Sequence, residues 1–227
     1  MTIVVIPARG GSKRVPRKNI RLFHGQPMLA YPIQTALGSG CCQRVIVSTD
    51  DPEIAAIARE YGAETPFMRP AQLADDYTGT GAIMRHALQW LDEHGHSPDY
   101  IGCLYATTPL LRAATLRRGL LALQAAPDKA YAFAVTEFDF PIQRGLRIHA
   151  EGHVEPLWPE HIPKRSQDLE PCYHDAGQFY WARPQAYRDK LPLFSRHALP
   201  IILPRHEVVD IDTEDDWLIA ERLYSQE

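Results

Sequence analysis

Ile3-Val4-Val5-Ile6-Pro7 runs straight into Ala8-Arg9-Gly10-Gly11-Ser12-Lys13-Arg14-Val15-Pro16-Arg17-Lys18-Asn19, and this junction decides the fold. A short β-branched run closed by proline reads as a strand buried on both faces, the kind that parallel sheets use. The loop after it carries five cations (Arg9, Lys13, Arg14, Arg17 and Lys18) within ten residues. Gly10 and Gly11 let the main chain approach an anion closely and present N–H groups to it. Directly behind a buried strand, such a loop reads as a polyphosphate cradle; an exposed basic turn is the plainer alternative. Its spacing fits neither G-x-x-x-x-G-K-[ST] nor G-x-G-x-x-G.

Outward from this junction, strand-like and helix-like segments alternate. Met28, Leu29, Ile33, Ala36 and Leu37 fall at helical spacing over 27–37, with glycines at 38 and 40 to stop the helix. A strand is expected over 44–48, and a helix over 52–61 with Asp51 as N-cap, Pro52 in its first turn and Gly62 behind it. Further helices are expected over 82–93 and 113–124, and further strands over 100–105 and 130–136. This alternation predicts right-handed βαβ units and a parallel sheet covered on both faces. Ligands of such sheets bind beyond the carboxyl ends of the strands, here the loops after Ile6, Val47 and Tyr105.

The alternation breaks between about Phe138 and Cys172, where Pro141, Pro156, Pro159, Pro163 and Pro171 crowd in. A stretch of that length reads as a long arm or a β-rich insertion with a function or a partner contact of its own. Regular structure is expected again over 178–182 and 208–211, then a last helix over 213–224. One domain over 1–227, with an insertion at about 138–175, is the resulting organisation.

Composition limits the function classes. With 227 residues, 45% hydrophobic and 23% charged, the chain suits one globular domain and neither a disordered tail nor a coiled coil. Twenty-four Lys and Arg against 28 Asp and Glu leave a net charge of -4, which argues against nucleic acid or an anionic membrane as partner. The apolar run at Ile3–Ile6 is too short for a signal segment or a membrane span. Cys41, Cys42, Cys103 and Cys172 form no C-x-x-C pair, so a reduced, cytoplasmic protein is expected. No zinc-ligand spacing and no G-x-S-x-G elbow occurs.

Two other constellations carry chemistry. In Asp210-Ile211-Asp212, an extended chain would place both carboxylates on one face, ~6.7 Å apart. A hard cation such as Mg2+ suits that pair and bridges to phosphates. Asp212 also reads as the N-cap of the last helix, and the two roles are compatible. Arg165-Ser166-Gln167-Asp168 and Tyr173-His174-Asp175-Ala176-Gly177-Gln178 are dense in hydrogen-bonding groups, as a carboxylated, polyhydroxylated ligand requires, with a polar surface loop as the alternative. Gly177 is expected to make a tight turn just before a strand. Arg69-Pro70 and the loop Asp75-Asp76-Tyr77-Thr78-Gly79-Thr80 offer groups to read a base or ribose, and Tyr105-Ala106-Thr107-Thr108-Pro109 closes a strand with small residues.

Together these residues resemble the cytidylyltransferases that activate nine-carbon and eight-carbon α-keto acid sugars. The opening Ala8-Arg9-Gly10-Gly11-Ser12-Lys13 with Pro16 and Lys18-Asn19, then Ser48-Thr49-Asp50, Arg69-Pro70 and Asp210-Ile211-Asp212-Thr213, fall in that family's order. Pro141-Ile142-Gln143-Arg144 and the 165–169 and 173–181 stretches look like its pseudaminic acid branch. The sialic acid branch has Gln-Pro-Thr-Ser-Pro where this chain has Tyr105-Ala106-Thr107-Thr108-Pro109.

The resemblance implies an α/β, Rossmann-like nucleotide-diphospho-sugar transferase fold, with a mostly parallel sheet, helices on both faces and a dimerisation arm. It implies a homodimer that converts CTP and pseudaminic acid to CMP-pseudaminic acid and pyrophosphate with Mg2+. The alternatives are the same reaction on N-acetylneuraminic, legionaminic or keto-deoxyoctonic acid, or a non-catalytic nucleotide-binding protein. Arg9, Lys13, Lys18 and Asp212 are then the catalytic residues, and Asp210 and Asp212 the metal ligands. The nucleotide falls to Ala8, Arg9, Gly11, Ser12, Lys13, Asn19, Arg69 and Thr80. The sugar falls to Tyr105, Thr107, Gln143, Arg165, Gln167, His174, Asp175 and Gln178, with the arm residues serving the partner subunit.

Overall fold

The valine–isoleucine run at the start of the chain is fully buried, and the sheet is built around it. The computed structural model describes residues 1–226 except Lys13 and Asp76. In chain order the elements are β1 (Thr2–Pro7), a short hairpin β2 (Leu22–Phe23) and β3 (Gln26–Pro27), α1 (Ala30–Gly38), β4 (Arg44–Ser48), α2 (Pro52–Glu60), α3 (Thr80–Glu93), β5 (Tyr100–Leu104), α4 (Ala113–Ala125) and β6 (Tyr131–Glu137). A second hairpin, β7 (Leu146–Ile148) and β8 (Val154–Pro156), precedes β9 (Tyr173–Ala182), α5 (Pro184–Arg188), β10 (Ala198–Leu203) and α6 (Glu214–Tyr224).

Six strands form the main sheet in the order β10-β6-β9-β5-β1-β4. β1 pairs in parallel with β4 and β5, and β10 in parallel with β6. β9 runs antiparallel to both β5 and β6, so the sheet is mostly rather than wholly parallel. The reason is its connection. β9 follows the irregular stretch instead of a crossover helix, and only a crossover would return the chain in parallel.

Alternation along β1 sends successive side chains to opposite faces. Val4 and Ile6 pack with Ile33 of α1, Ile54 of α2 and Leu116 and Leu120 of α4. Ile3 and Val5 pack with Met84, Leu88 and Leu91 of α3 and Ala186 and Tyr187 of α5. A third cluster, away from the sheet, joins Val15, Phe23, Met28 and Tyr31 to Ile211, Trp217 and Ala220.

The expected helices and strands up to residue 136 appear with small shifts at their ends, and Asp51 caps α2 by accepting from the Glu53 and Ile54 amides. Three expectations for the C-terminal part are corrected. Residues 208–211 are not a strand; the last strand is β10, at the sheet edge, where Pro200 costs no interior ladder bond. Gly177 lies within β9 rather than in a turn before it, at φ +61, where the register against β6 shifts. Asp212 is not the cap of α6. Thr213 is, in a capping box with Asp216.

The 138–172 stretch holds the β7–β8 hairpin and short 3-10 turns at Ile142–Arg144, Pro159–His161 and Ser166–Asp168. Leu146, Ile148, Val154, Leu157, Trp158 and Ile162 are all exposed there. No helix among the described residues is long and apolar enough to cross a membrane.

Two glycines make room for the large aromatic side chains of β9. A Cβ on Gly119 would sit 2.5 Å from Phe179 Cε2, and one on Gly102 2.7 Å from Trp181 Cζ3. Phe179 and Trp181 are fully buried and have nowhere to retreat. In an open helix, alanine for glycine gains about 1 kcal/mol; at Gly119 the overlap reverses the sign. Gly119→Ala is expected to lower stability by about 1–3 kcal/mol in urea unfolding, and a gain would contradict this packing.

Candidate active site

The carboxyl ends of β1 and β5 open onto one cleft of about 600 Å³, lined in part by Pro7, Arg9, Ser12, Arg14, Lys18, Asn19, Arg69, Thr80, Tyr105, Thr107 and Asp212. This is the edge at which open α/β sheets bind their ligands. The loop that forms one wall is held by its own hydrogen bonds. The Ala8 amide donates to Ser48 O (3.0 Å), and the Gly10 amide to Asp50 Oδ1 (3.2 Å), which tie the loop to the end of β4. Ser12 Oγ donates to Val15 O (2.7 Å), and Asn19 Nδ2 to Arg9 O (2.9 Å).

Of the two glycines, Gly10 is the one that close packing requires: a Cβ there would lie 2.6 Å from Asp51 Oδ2, whereas the space around Gly11 is open. The cations divide. Arg17 pairs with Asp51 and Glu53 at the start of α2, which raises its guanidinium pKa. Arg9, Arg14 and Lys18 face the cleft, and Arg9 Nη1 donates to Asp75 O (3.0 Å). Lys13 and Asp76 lie outside the described residues.

The facing wall comes from the far end of the chain. Ile211 is completely buried against Val15 and Trp217 in the third cluster. With Ile211 fixed inward, its neighbours Asp210 and Asp212 are left on the outer side. Asp212 Oδ1 accepts from Arg14 (2.9 Å) and lies 3.4 Å from Lys18 Nζ, which also donates to the Ile211 carbonyl. Because Thr213 caps α6, the Asp212 carboxylate has no capping duty and stays available to the cleft.

Asp210 is exposed beside Gly177, whose added Cβ would be 3.5 Å from the Asp210 carboxyl carbon. Desolvation by the surrounding chain and the charges of Asp212 and Asp175 raise the Asp210 pKa, with Lys18 opposing them. Two carboxylates that repel each other beside a row of cations form a hard-oxygen donor set.

At the opposite end of the cleft Arg69 is only 4% exposed. Its Nη2 pairs with Asp50 Oδ1 at 3.2 Å, while its Nε is buried without a hydrogen-bond partner. Burial lowers the pKa of this guanidinium, with Asp50 opposing the shift. Thr80 Oγ1 is 3.3 Å from the Tyr105 hydroxyl, closing that end.

The structure thus brings Arg9, Ser12, Lys18, Asn19, Arg69, Thr80, Tyr105, Thr107 and Asp212 onto one cleft, with Ala8 buried directly beneath the loop. The other described candidates, Gly11 and Asp210 among them, are not among its lining residues. Gln143 Nε2 donates to Glu170 O (2.8 Å), Arg165 pairs with Asp168 (2.7 Å), and Gln167 borders a separate hollow along the arm. His174 Nδ1 contacts its neighbour's carbonyl, Asp175 O, at 2.9 Å. Asp175 accepts from Tyr180 OH (2.8 Å) and from the Gly177 amide (2.9 Å). Gln178 is buried and donates to Glu207 O (2.6 Å). Two residues that the sequence reading quoted without a role of their own acquire one here. Arg14, inside the same basic run, holds Asp212, and Asp50, at the end of β4 where such a site is expected, orients Arg69.

The mixed sheet with its cleft is the fold of nucleotidyltransferases. A solved structure of CMP:2-keto-3-deoxy-manno-octonic acid synthetase complexed with CTP matches it with a TM-score of 0.69, over 99% of this chain and 98% of that one, at 19% identity. Residues 3–197 match the family described as Cytidylyltransferase. A Campylobacter jejuni protein named pseudaminic acid cytidylyltransferase is 41% identical over 98% of this chain and 95% of its own length. A Legionella pneumophila protein named CMP-N,N'-diacetyllegionaminic acid synthase is 31% identical over 97% of this chain and 95% of its own. The chain belongs to the cytidylyltransferase family.

The packing of Ile211 is what holds the two cleft walls together. Ile211→Ala is expected to cost about 2–5 kcal/mol in urea unfolding. Thr213→Ala, which removes only a cap, is expected to cost about 1 kcal/mol. Equal costs for the two would contradict the assignment of Ile211 as the anchor.

Proposed function

We propose that this chain transfers a cytidylyl group from CTP to pseudaminic acid, giving CMP-pseudaminic acid and pyrophosphate. The observation that carries the reading is the meeting of Arg9, Arg14 and Lys18 with Asp212 in one cleft at the carboxyl edge of the sheet. The choice of sugar rests on the 41% identity to the Campylobacter jejuni protein of that name.

In the reaction the sugar's anomeric hydroxyl oxygen forms a bond to the α-phosphorus, and the bond from that phosphorus to the β-phosphate oxygen breaks. The hydroxyl proton leaves to solvent, and pyrophosphate departs. Such a transfer depends mostly on positioning and on neutralising charge. Arg9, Lys13 and Lys18 hold the triphosphate and the departing pyrophosphate, with the amides near Gly11 and Ser12 around it. Asn19 steadies the loop through Arg9 O and presents its remaining polar groups to the nucleotide. Arg69, with its unmet Nε, and Thr80 read the cytosine. Tyr105 and Thr107 bound the side from which the sugar enters.

The carboxylates of Asp210 and Asp212 suit Mg2+ in donor type and in their mutual repulsion. Bound there, Mg2+ supplies positive charge to phosphate oxygens. The arm completes the site in a homodimer: its exposed apolar side chains suit burial against a second subunit, and Gln143, Arg165 and Gln167 then serve the partner's sugar, alongside His174, Asp175 and Gln178. Four free thiols and a net charge of -4 suit a cytoplasmic enzyme that uses neither nucleic acid nor membrane.

The test is pyrophosphate release with CTP and Mg2+, offering pseudaminic, N-acetylneuraminic, legionaminic and keto-deoxyoctonic acids in parallel. Turnover is expected on pseudaminic acid and is expected to stop with EDTA. Turnover on another acid alone would overturn the sugar, and CTP binding without turnover on any of them would favour a binding protein. Asp212→Asn is expected to keep the fold and lower turnover at least about tenfold. Light scattering is expected to show a dimer, and a fully active monomer would overturn the role of the arm.

A further inference from the structure

The β7–β8 hairpin gathers metal-ligating side chains that the cytidylyl transfer does not use. His149, Glu151 and His153 sit on its turn, and one ligand atom from each lies within 4.8 Å of the others. The turn itself draws them together. The His149 amide donates to His153 O (3.0 Å), the Gly152 amide donates to His149 O (2.9 Å), and Gly152 takes φ +84. The two imidazoles stack with centroids 4.3 Å apart and an 11° angle between planes.

A second observation points to a ligand. His149 Nε2 is closed off from water and has no hydrogen-bond partner, although Glu155 Oε1 lies 3.0 Å away. An unmet buried ring nitrogen is costly, and a cation beside it would remove the cost. Two neutral imidazoles and a carboxylate form a borderline N/O donor set. Zn2+, Co2+, Ni2+ and Cu2+ prefer such a set, and Mg2+ and Ca2+ do not. The site therefore differs in chemistry from the Asp210–Asp212 pair.

We propose that the β7–β8 turn binds one divalent transition-metal ion through His149, Glu151 and His153. Glu155 Oε1, 3.0 Å from that same His149 nitrogen, adds carboxylate charge beside the ion. Bound metal staples an arm that has little core of its own, since all three residues of β7 are exposed.

The test uses the full chain stripped with EDTA and then given excess Mg2+, which fills hard-oxygen sites. Titration with Zn2+ by calorimetry, and with Co2+ by visible absorption, is expected to show one equivalent and ligand-field bands. His149→Ala/His153→Ala is expected to weaken Zn2+ binding at least about tenfold, and Glu155→Gln to weaken it less. Melting of the double variant in EDTA is expected to match the parent, which separates loss of metal from loss of fold; His149→Gln serves as a milder second variant. One equivalent that persists undiminished in the double variant, or no Zn2+ uptake by the parent, would overturn the site.

Discussion

Lys18 reaches across 194 residues of chain to Asp212, and it also donates to the carbonyl of the Ile211 that lies buried beneath it. The rest of the cleft depends on this junction. Val15, Ile211 and Trp217 pack as one cluster, so the basic loop behind β1 and the acidic segment before α6 are parts of one unit. Arg21 strengthens the same seam, pairing with Glu214 at 2.7 Å while its guanidinium lies 4.3 Å over the Trp217 ring. Cations and carboxylates that would each be weak binders alone are thereby fixed in opposition.

How each residue came to be legible follows from the range of its interactions. β1, β4, α2 and the loop between β1 and α1 are set by local patterns: β-branched runs, an aspartate cap, glycines behind a strand. Those patterns read correctly from sequence. The errors fall where distant contacts decide. Val208-Val209-Asp210-Ile211 looks like a strand, yet Ile211 is claimed by the third cluster and the strand forms at Ala198–Leu203 instead. Pro200 hid that strand, because the sequence does not reveal that it lies at an edge. The cap of α6 was legible and misread: Thr213 with Asp216 three residues on is a capping-box pattern, and it outcompetes Asp212.

The candidate site divides along the same line. Residues on the loop behind β1 and at the ends of β4 and β5 converge in one chain because the sheet fixes them. Gln143, Arg165 and Gln167 belong to the irregular 138–172 stretch, which the sheet does not carry to the cleft. Asp175 shows a third case. Its carboxylate is engaged by Tyr180 at 2.8 Å within a bulged strand, a contact that only the register shift against β6 creates. No spacing rule in the sequence reports a bulge.

The basic loop and the acidic segment form one unit joined through Lys18, Ile211 and Asp212. Amide hydrogen exchange with and without CTP and Mg2+ tests it most directly. The account predicts that residues 8–21 and 208–217 gain protection together, and that Asp212→Asn diminishes the gain in both. Protection confined to the loop behind β1, with the 208–217 segment unchanged, would contradict it.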